Sequence, residues 1–211
     1  AAQFATINST GSTTVSSGAV LGMSGGTHSF NAGSLTGAGT ARVSSGSFNV
    51  NGGSYNVANT EVQASGTMSV DAAATASTAA FTMSNGTLTG TGVLTLTGAG
   101  NTWSGGVMSG GGTTRVAPGA GLTLDLVPAS VVLDGRTFNQ QSTTGTWSGV
   151  NSIFLRNGAA FNNSGTLTAT GTTTLNNDAG TASFMNSGTF ARNTAATTTN
   201  FNAGATNGLT V

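Results

Sequence analysis

The sequence predicts an all-β chain: a single-stranded parallel β-helix (β-solenoid) of roughly eight to ten coils, each about 17–28 residues long. Three recurring phrases predict it. The first is Gly, a hydroxyl residue and a large apolar residue, at Gly33-Ser34-Leu35, Gly66-Thr67-Met68, Gly86-Thr87-Leu88, Gly145-Thr146-Trp147, Gly165-Thr166-Leu167 and Gly188-Thr189-Phe190. Several of its intervals (Met68 to Leu88, Trp147 to Leu167, Leu167 to Phe190) have the length of one small solenoid repeat. The second is an aliphatic residue, two spacers and one or two small residues, starting at Val15, Val43, Val70, Leu96, Val116, Leu155 and Leu175, with a degenerate copy at Leu133. The steps from Val15 to Val43, Val70 and Leu96 exceed all the later ones. The first three coils are therefore expected to be longer, with the surplus in bulged turns. The third joins apolar anchors eight residues apart, with small residues two and four after the first: Leu35 to Val43, Leu88 to Leu96, Met108 to Val116 and Leu167 to Leu175. The three phrases are expected to share one phase.

Helix is disfavoured from end to end. Thirty-four glycines, abundant β-branched threonine and a single glutamate leave no window with favourable helix propensity. Short strands are signalled in order along the chain. Ser47-Phe48-Asn49-Val50, Ser54-Tyr55-Asn56-Val57, Val93-Leu94-Thr95-Leu96-Thr97, Leu122-Thr123-Leu124-Asp125-Leu126 and Thr166-Leu167-Thr168 alternate polar and apolar residues, as a strand with one buried face does. Turn dipeptides able to take positive φ separate them: Asn51-Gly52, Asn85-Gly86, Pro118-Gly119 and Asn157-Gly158. A coil cannot bury its own apolar face, so coils are expected to stack, with apolar ladders inside, Thr, Ser and Asn outside, and asparagine amides laddered at turns. Antiparallel sandwiches or barrels are the competing all-β reading, but they call for hairpin turns at short, regular intervals.

The texture is uniform, so residues 1–211 read as one continuous solenoid domain, either a subunit or a segment of a longer fibre. Only 5% of residues are charged, five acids against five arginines, far below the roughly 25% of an ordinary domain. That balance offers nucleic acid and anionic membranes no electrostatic footprint. Disorder is excluded by the regularly placed apolar residues. The chain has no cysteine, hence no disulfide framework or thiolate metal site, and no ~20-residue apolar run that would insert into a membrane. No signal-peptide pattern is present, and Ala1-Ala2-Gln3 suits either a processed terminus or a cut-out fragment.

Chemistry finds few candidates. His28 is the one histidine, and Asp71, Asp125, Asp134 and Asp178 are scattered singly, which argues against a metal site. Asp134 and Asp178, two coils apart in sequence, could line one face with Asp125, as a carboxylate pair for glycoside hydrolysis must. Isolated turn aspartates more often bond their own backbone, so no catalytic, cofactor-binding or metal-ligating residue is assigned and no enzyme is expected. Glu61 has no nearby partner in sequence. Arg115, Arg136 and Arg156, each one coil from the next in sequence, could stack into a column for acidic glycans, although like charges repel. Trp103 and Trp147 share a Thr-Trp-Ser-Gly setting, and core packing is the preferred reading for them, as for Phe48 and Tyr55. Trp147 is expected at the frame position of Leu167 and Phe190. Thr172-Thr173-Thr174 and Thr197-Thr198-Thr199 raise ice binding, which requires Thr-x-Thr at one strand position in successive coils. Thr87-Leu88-Thr89, Thr95-Leu96-Thr97, Thr123-Leu124-Asp125 and Thr166-Leu167-Thr168 come close without holding a strict rank.

Asn163-Ser164-Gly165-Thr166-Leu167, Asn186-Ser187-Gly188-Thr189-Phe190 and the run Thr87 to Leu96 resemble repeats of large bacterial β-solenoid surface proteins. These include autotransporter passenger domains and filamentous-haemagglutinin-like adhesins. The resemblance implies secretion, display outside the cell or on its surface, and a structural or adhesive role, with no shared catalytic set. Neither end carries a charge, proline or helix as an edge cap, and Gly208-Leu209-Thr210-Val211 reads as an unfinished strand. Head-to-tail homopolymerisation through terminal coils is therefore expected. A glycan or host-surface ligand on one solenoid face is the alternative.

Overall fold

The structure, a computed structural model, describes residues 2–3, 6–203 and 209–210, with side chains over 6–202. It is a parallel β-solenoid of about nine turns, with no helix among the described residues. Each coil lays down three strands, and each strand pairs in parallel with its counterparts one coil away. The first sheet runs through Leu21, Ala41, Thr60 and Phe81, and later through Leu122, Gly145, Leu167 and Phe190. The second stacks Ile7, His28, Phe48, Met68, Leu88, Met108, Leu133, Leu155 and Asn177. The third stacks Thr13, Leu35, Tyr55, Ala76, Leu94, Thr114, Phe138, Phe161 and Phe184. In the early coils one strand bends through the corners. Ser34–Val50 serves the third, first and second sheets in turn.

The three-sided cross-section corrects the expected phase. Val15 extends the third sheet, Val43 lies in the first, Val70 in the second and Leu96 in the third. Each of the long steps between them is therefore one coil plus one side, not a long coil. Early coils are the shorter ones. Leu21 pairs with Ala41 and Ala41 with Thr60. The later steps of the same sheet, from Leu122 to Gly145, Leu167 and Phe190, are a few residues longer. The third phrase is a corner motif. It carries the chain from third sheet to first at Leu35–Val43, from second to third at Leu88–Leu96 and Met108–Val116, and from first to second at Leu167–Leu175.

Its small residues are required by close approach of the coil below. Gly90 has φ +100°, and a Cβ there would sit 2.1 Å from the Val70 carbonyl oxygen. At Gly92 a Cβ would meet the Asp71 carbonyl oxygen at 2.2 Å. Between corners, alternate residues point inward and are excluded from water: Val43, Phe48, Met68, Leu88, Met108, Leu133 and Leu155 are all fully buried. Each such side chain contributes ~1.5–3 kcal/mol relative to exposure. An aromatic ladder runs along the axis from Trp103 to Phe138, Phe161 and Phe184, with ring centroids 5.7, 5.0 and 5.6 Å apart. Asparagine amides ladder as expected, Asn51 donating to Asn31 and Asn31 to Asn8 at 2.7 and 2.6 Å. At the far end Leu209–Thr210 pairs with Ala182 and Ser183, while Ala1, Gly208 and Val211 lie outside the described residues.

The interior is not purely apolar. Tyr55 donates to Thr60 at 2.6 Å, Thr60 to Thr78 at 2.9 Å and Thr78 to the Val57 carbonyl at 3.0 Å, a satisfied buried chain. Further along, the inward column of Leu96 and Val116 continues as Gln140 and Asn163. Gln140 holds the next corner, donating to Ser142 and Thr166 carbonyls and accepting from Ser142 N–H.

Candidate functional site

The three outer faces carry the exposed chemistry, and they separate residues that sequence spacing would stack. Arg115, Arg136 and Arg156 form no column. Arg115 is exposed on the third sheet, where its partner is Thr95. Arg136 turns inward at the corner between second and third sheets and is fully buried. Its guanidinium donates to Thr114 Oγ1 at 2.9 Å and to the Ser109, Thr113 and Gly90 carbonyls at 3.2, 3.1 and 3.3 Å. Burial pushes its pKa down to about 10. The planar fork ties successive coils together, a role a lysine could not copy with the same geometry. No sequence cue separated this arginine from the exposed ones.

Arg156 ends a strand of the second sheet and lies between the two aspartates that the spacing brought to one face. Its Nε and Nη2 donate to Asp178 Oδ1 and Oδ2 at 2.7 and 2.6 Å. Asp134 pairs with Arg156 in register and accepts from Asn157 Nδ2 at 2.7 Å. The arginine hydrogen bond holds Asp178 below its ordinary carboxylate range. The two carboxylates thus share a face, as expected, but an arginine stands between them. Asp125 does not join them, because it lies on the first sheet opposite Ser148. Asp71 accepts from Ala73 N–H at 3.0 Å as a turn residue. Glu61 finds its partner in Arg42, on the adjoining coil.

Trp103 and Trp147 both point inward from the first sheet, 1% and 0% exposed. Trp103 Nε1 donates to the Gly105 carbonyl at 3.1 Å. Trp147 pairs with Ala169, so it sits two residues from the frame position expected, which Gly145 fills opposite Leu167. Phe48 and Tyr55 are likewise core residues. His28 is buried between Ile7 and Phe48, its Nε2 2.7 Å from the Gly25 carbonyl oxygen. Among the described residues no group of three His, Asp or Glu side chains is placed to share a metal ion.

Two outer features were not assembled by the sequence reading, which named Thr123 and Thr168 without stacking them. On the second sheet Val107, Val132 and Phe154 stack in register, all half-buried, with the Arg156 guanidinium 5.6 Å from the Phe154 ring centre. On the first sheet an unbroken threonine column runs through Thr82, Thr102, Thr123, Thr146 and Thr168. The threonine triplets singled out above do not supply it. Thr173 is buried and Thr197 closes a turn onto the Thr194 carbonyl. No protein-family model, curated protein or solved structure matches this chain.

Proposed function

We propose that this chain is a structural β-solenoid of an extracellular filament or long surface adhesin, without catalysis of its own. The observation that supports the reading most is the uninterrupted coil stack itself. Through about nine turns the interior is filled by side chains while the outer faces are uncharged for most of their length. Such a body is a stiff spacer: each coil adds ~4.8 Å of length and its own layer of buried contacts. In a parallel stack the coil above and the coil below are equivalent partners, so a second copy can pair with a terminal edge as a further coil would. Low surface charge favours such contacts between like copies.

Negative-stain electron microscopy over a concentration series tests the assembly. Filaments with an axial repeat of about nine to ten coils, at ~4.8 Å each, are expected. Isolated short rods at every concentration would overturn head-to-tail assembly. A second reading, a glycan- or host-surface-binding face, draws on Phe154 beside Arg156, since an outward aromatic ring can stack on a sugar.

A further inference from the structure

We propose that the outer face of the first sheet binds ice. In this column Arg42 and Glu61 occupy the early coils as an ion pair, and from Thr82 onward the same strand position is threonine in five consecutive coils. A second column, two residues earlier on each strand, holds Thr144, Thr166 and Thr189. Thr144-Gly145-Thr146 and Thr166-Leu167-Thr168 therefore lie side by side as full Thr-x-Thr ranks on adjacent coils, the arrangement an ice face requires. Neither run of threonines is interrupted by a charged side chain. Asp125 stands one column aside.

The dimensions follow from the strand geometry. Hydroxyls and methyls repeat every ~4.8 Å from coil to coil and every ~6.7 Å along a strand. The coil-to-coil repeat lies close to the shorter oxygen repeat on a prism face of hexagonal ice, and the along-strand repeat falls somewhat short of the longer one. The array is also held still. Beneath it Leu124, Trp147, Leu167 and Ala169 are fully buried. One rank is aligned side chain by side chain: Thr144, Thr146 and Ser148 each direct their hydroxyl at 3.4 Å to a carbonyl of the adjoining coil, those of Ala120, Leu122 and Leu124. A lattice of fixed hydroxyls and methyls can engage many ordered waters at once without first losing side-chain entropy. A crystalline polysaccharide is the less suited occupant, because among the described residues the face presents no aromatic ring for sugars to stack on, both tryptophans of this sheet being turned inward.

The test is ice-crystal microscopy together with partitioning of the purified chain into slowly growing ice. The native chain, the double variant Thr146→Lys with Thr168→Lys, and a matched second-sheet variant, Asn49→Lys with Ser69→Lys, are compared after circular dichroism has shown each to be folded. Faceted crystals and enrichment in ice are expected for the native chain and the second-sheet variant, with loss of both for the threonine variant. Thr123→Lys, at an exposed site of the same column, replaces the double variant should that one not fold. The proposal is overturned if the native chain leaves round crystals and is excluded from ice. It also fails if both double variants lose activity equally, or if the chain is retained on microcrystalline cellulose but not in ice.

Discussion

At the scale of single residues, the buried polar groups hold more of the fold's specificity than the few exposed charges. The Arg156–Asp178 pair is about one-third exposed on each side, so solvent screening limits it to ~0–1 kcal/mol. Tyr55 is different. Burial, partly opposed by its bond to Thr60, pushes its phenol well above the ordinary 10.0. Above pH 10 an unfolded chain releases this proton while the folded chain keeps it, so the stabilisation is full below pH 10 and declines as pH rises. The slope is ~1.4 kcal/mol per pH unit. Arg136, shifted down by burial, acts with the opposite sign at alkaline pH, so a difference measurement isolates the phenol. Tyr55→Phe is expected to cost ~1 kcal/mol at neutral pH. Above pH 10 its deficit should shrink and then reverse in denaturant melts at stepped pH. A deficit that stays constant to pH 12 would contradict this account.

At the scale of the element, the corner is the unit that the recurring phrases encode. Its geometry is set by how near the carbonyls of the adjoining coil come. A Cβ at Gly171 would lie 1.9 Å from the Gly149 carbonyl oxygen, so Gly171→Ala must displace backbone and is expected to cost ~2 kcal/mol or more. A Cβ at Gly111, also in a corner, would meet no atom within 4 Å, and Gly111→Ala should change stability by less than ~0.5 kcal/mol. Chemical denaturation of the two variants checks the contrast. Similar losses for both would mean that glycine flexibility, not coil-to-coil approach, is what these corners need. The strands show why spacing alone mislocated residues. The step from Met68 to Leu88 returns to the same side of the prism, whereas that from Val43 to Val70 reaches the next side. Both look like repeats in one dimension.

At the scale of the whole molecule, stability adds up from neighbouring coils and no single centre holds the fold together. Leu133 pairs with Leu155, so excising the segment 134–155 removes one whole coil and joins equivalent positions of the second sheet. The cut also removes the inward Arg136 and Gln140 and leaves Phe161 to stack over Thr114. The shortened chain is expected to fold, with circular dichroism of the same shape, a rod shorter by ~4.8 Å and a lower melting temperature. Loss of cooperative melting would mean that the stack has a centre it cannot lose.

The sequence by itself determined that this chain is a solenoid, because small residues, turn dipeptides and alternating strands recur too often for any other all-β plan. It also favoured the core for both tryptophans, although Trp147 stands two residues from the frame position that argued for it. Only the tertiary structure decided how many sides a coil has, and with that which residues share a face. Asp134 and Asp178 came together as spacing suggested, but Arg156 between them, the burial of Arg136 and the Arg42–Glu61 pair all depend on register between coils. The threonine column was illegible for the same reason. Its members stand a full coil apart in sequence, and a shift of one residue in any coil would turn that threonine from the outer face to the core.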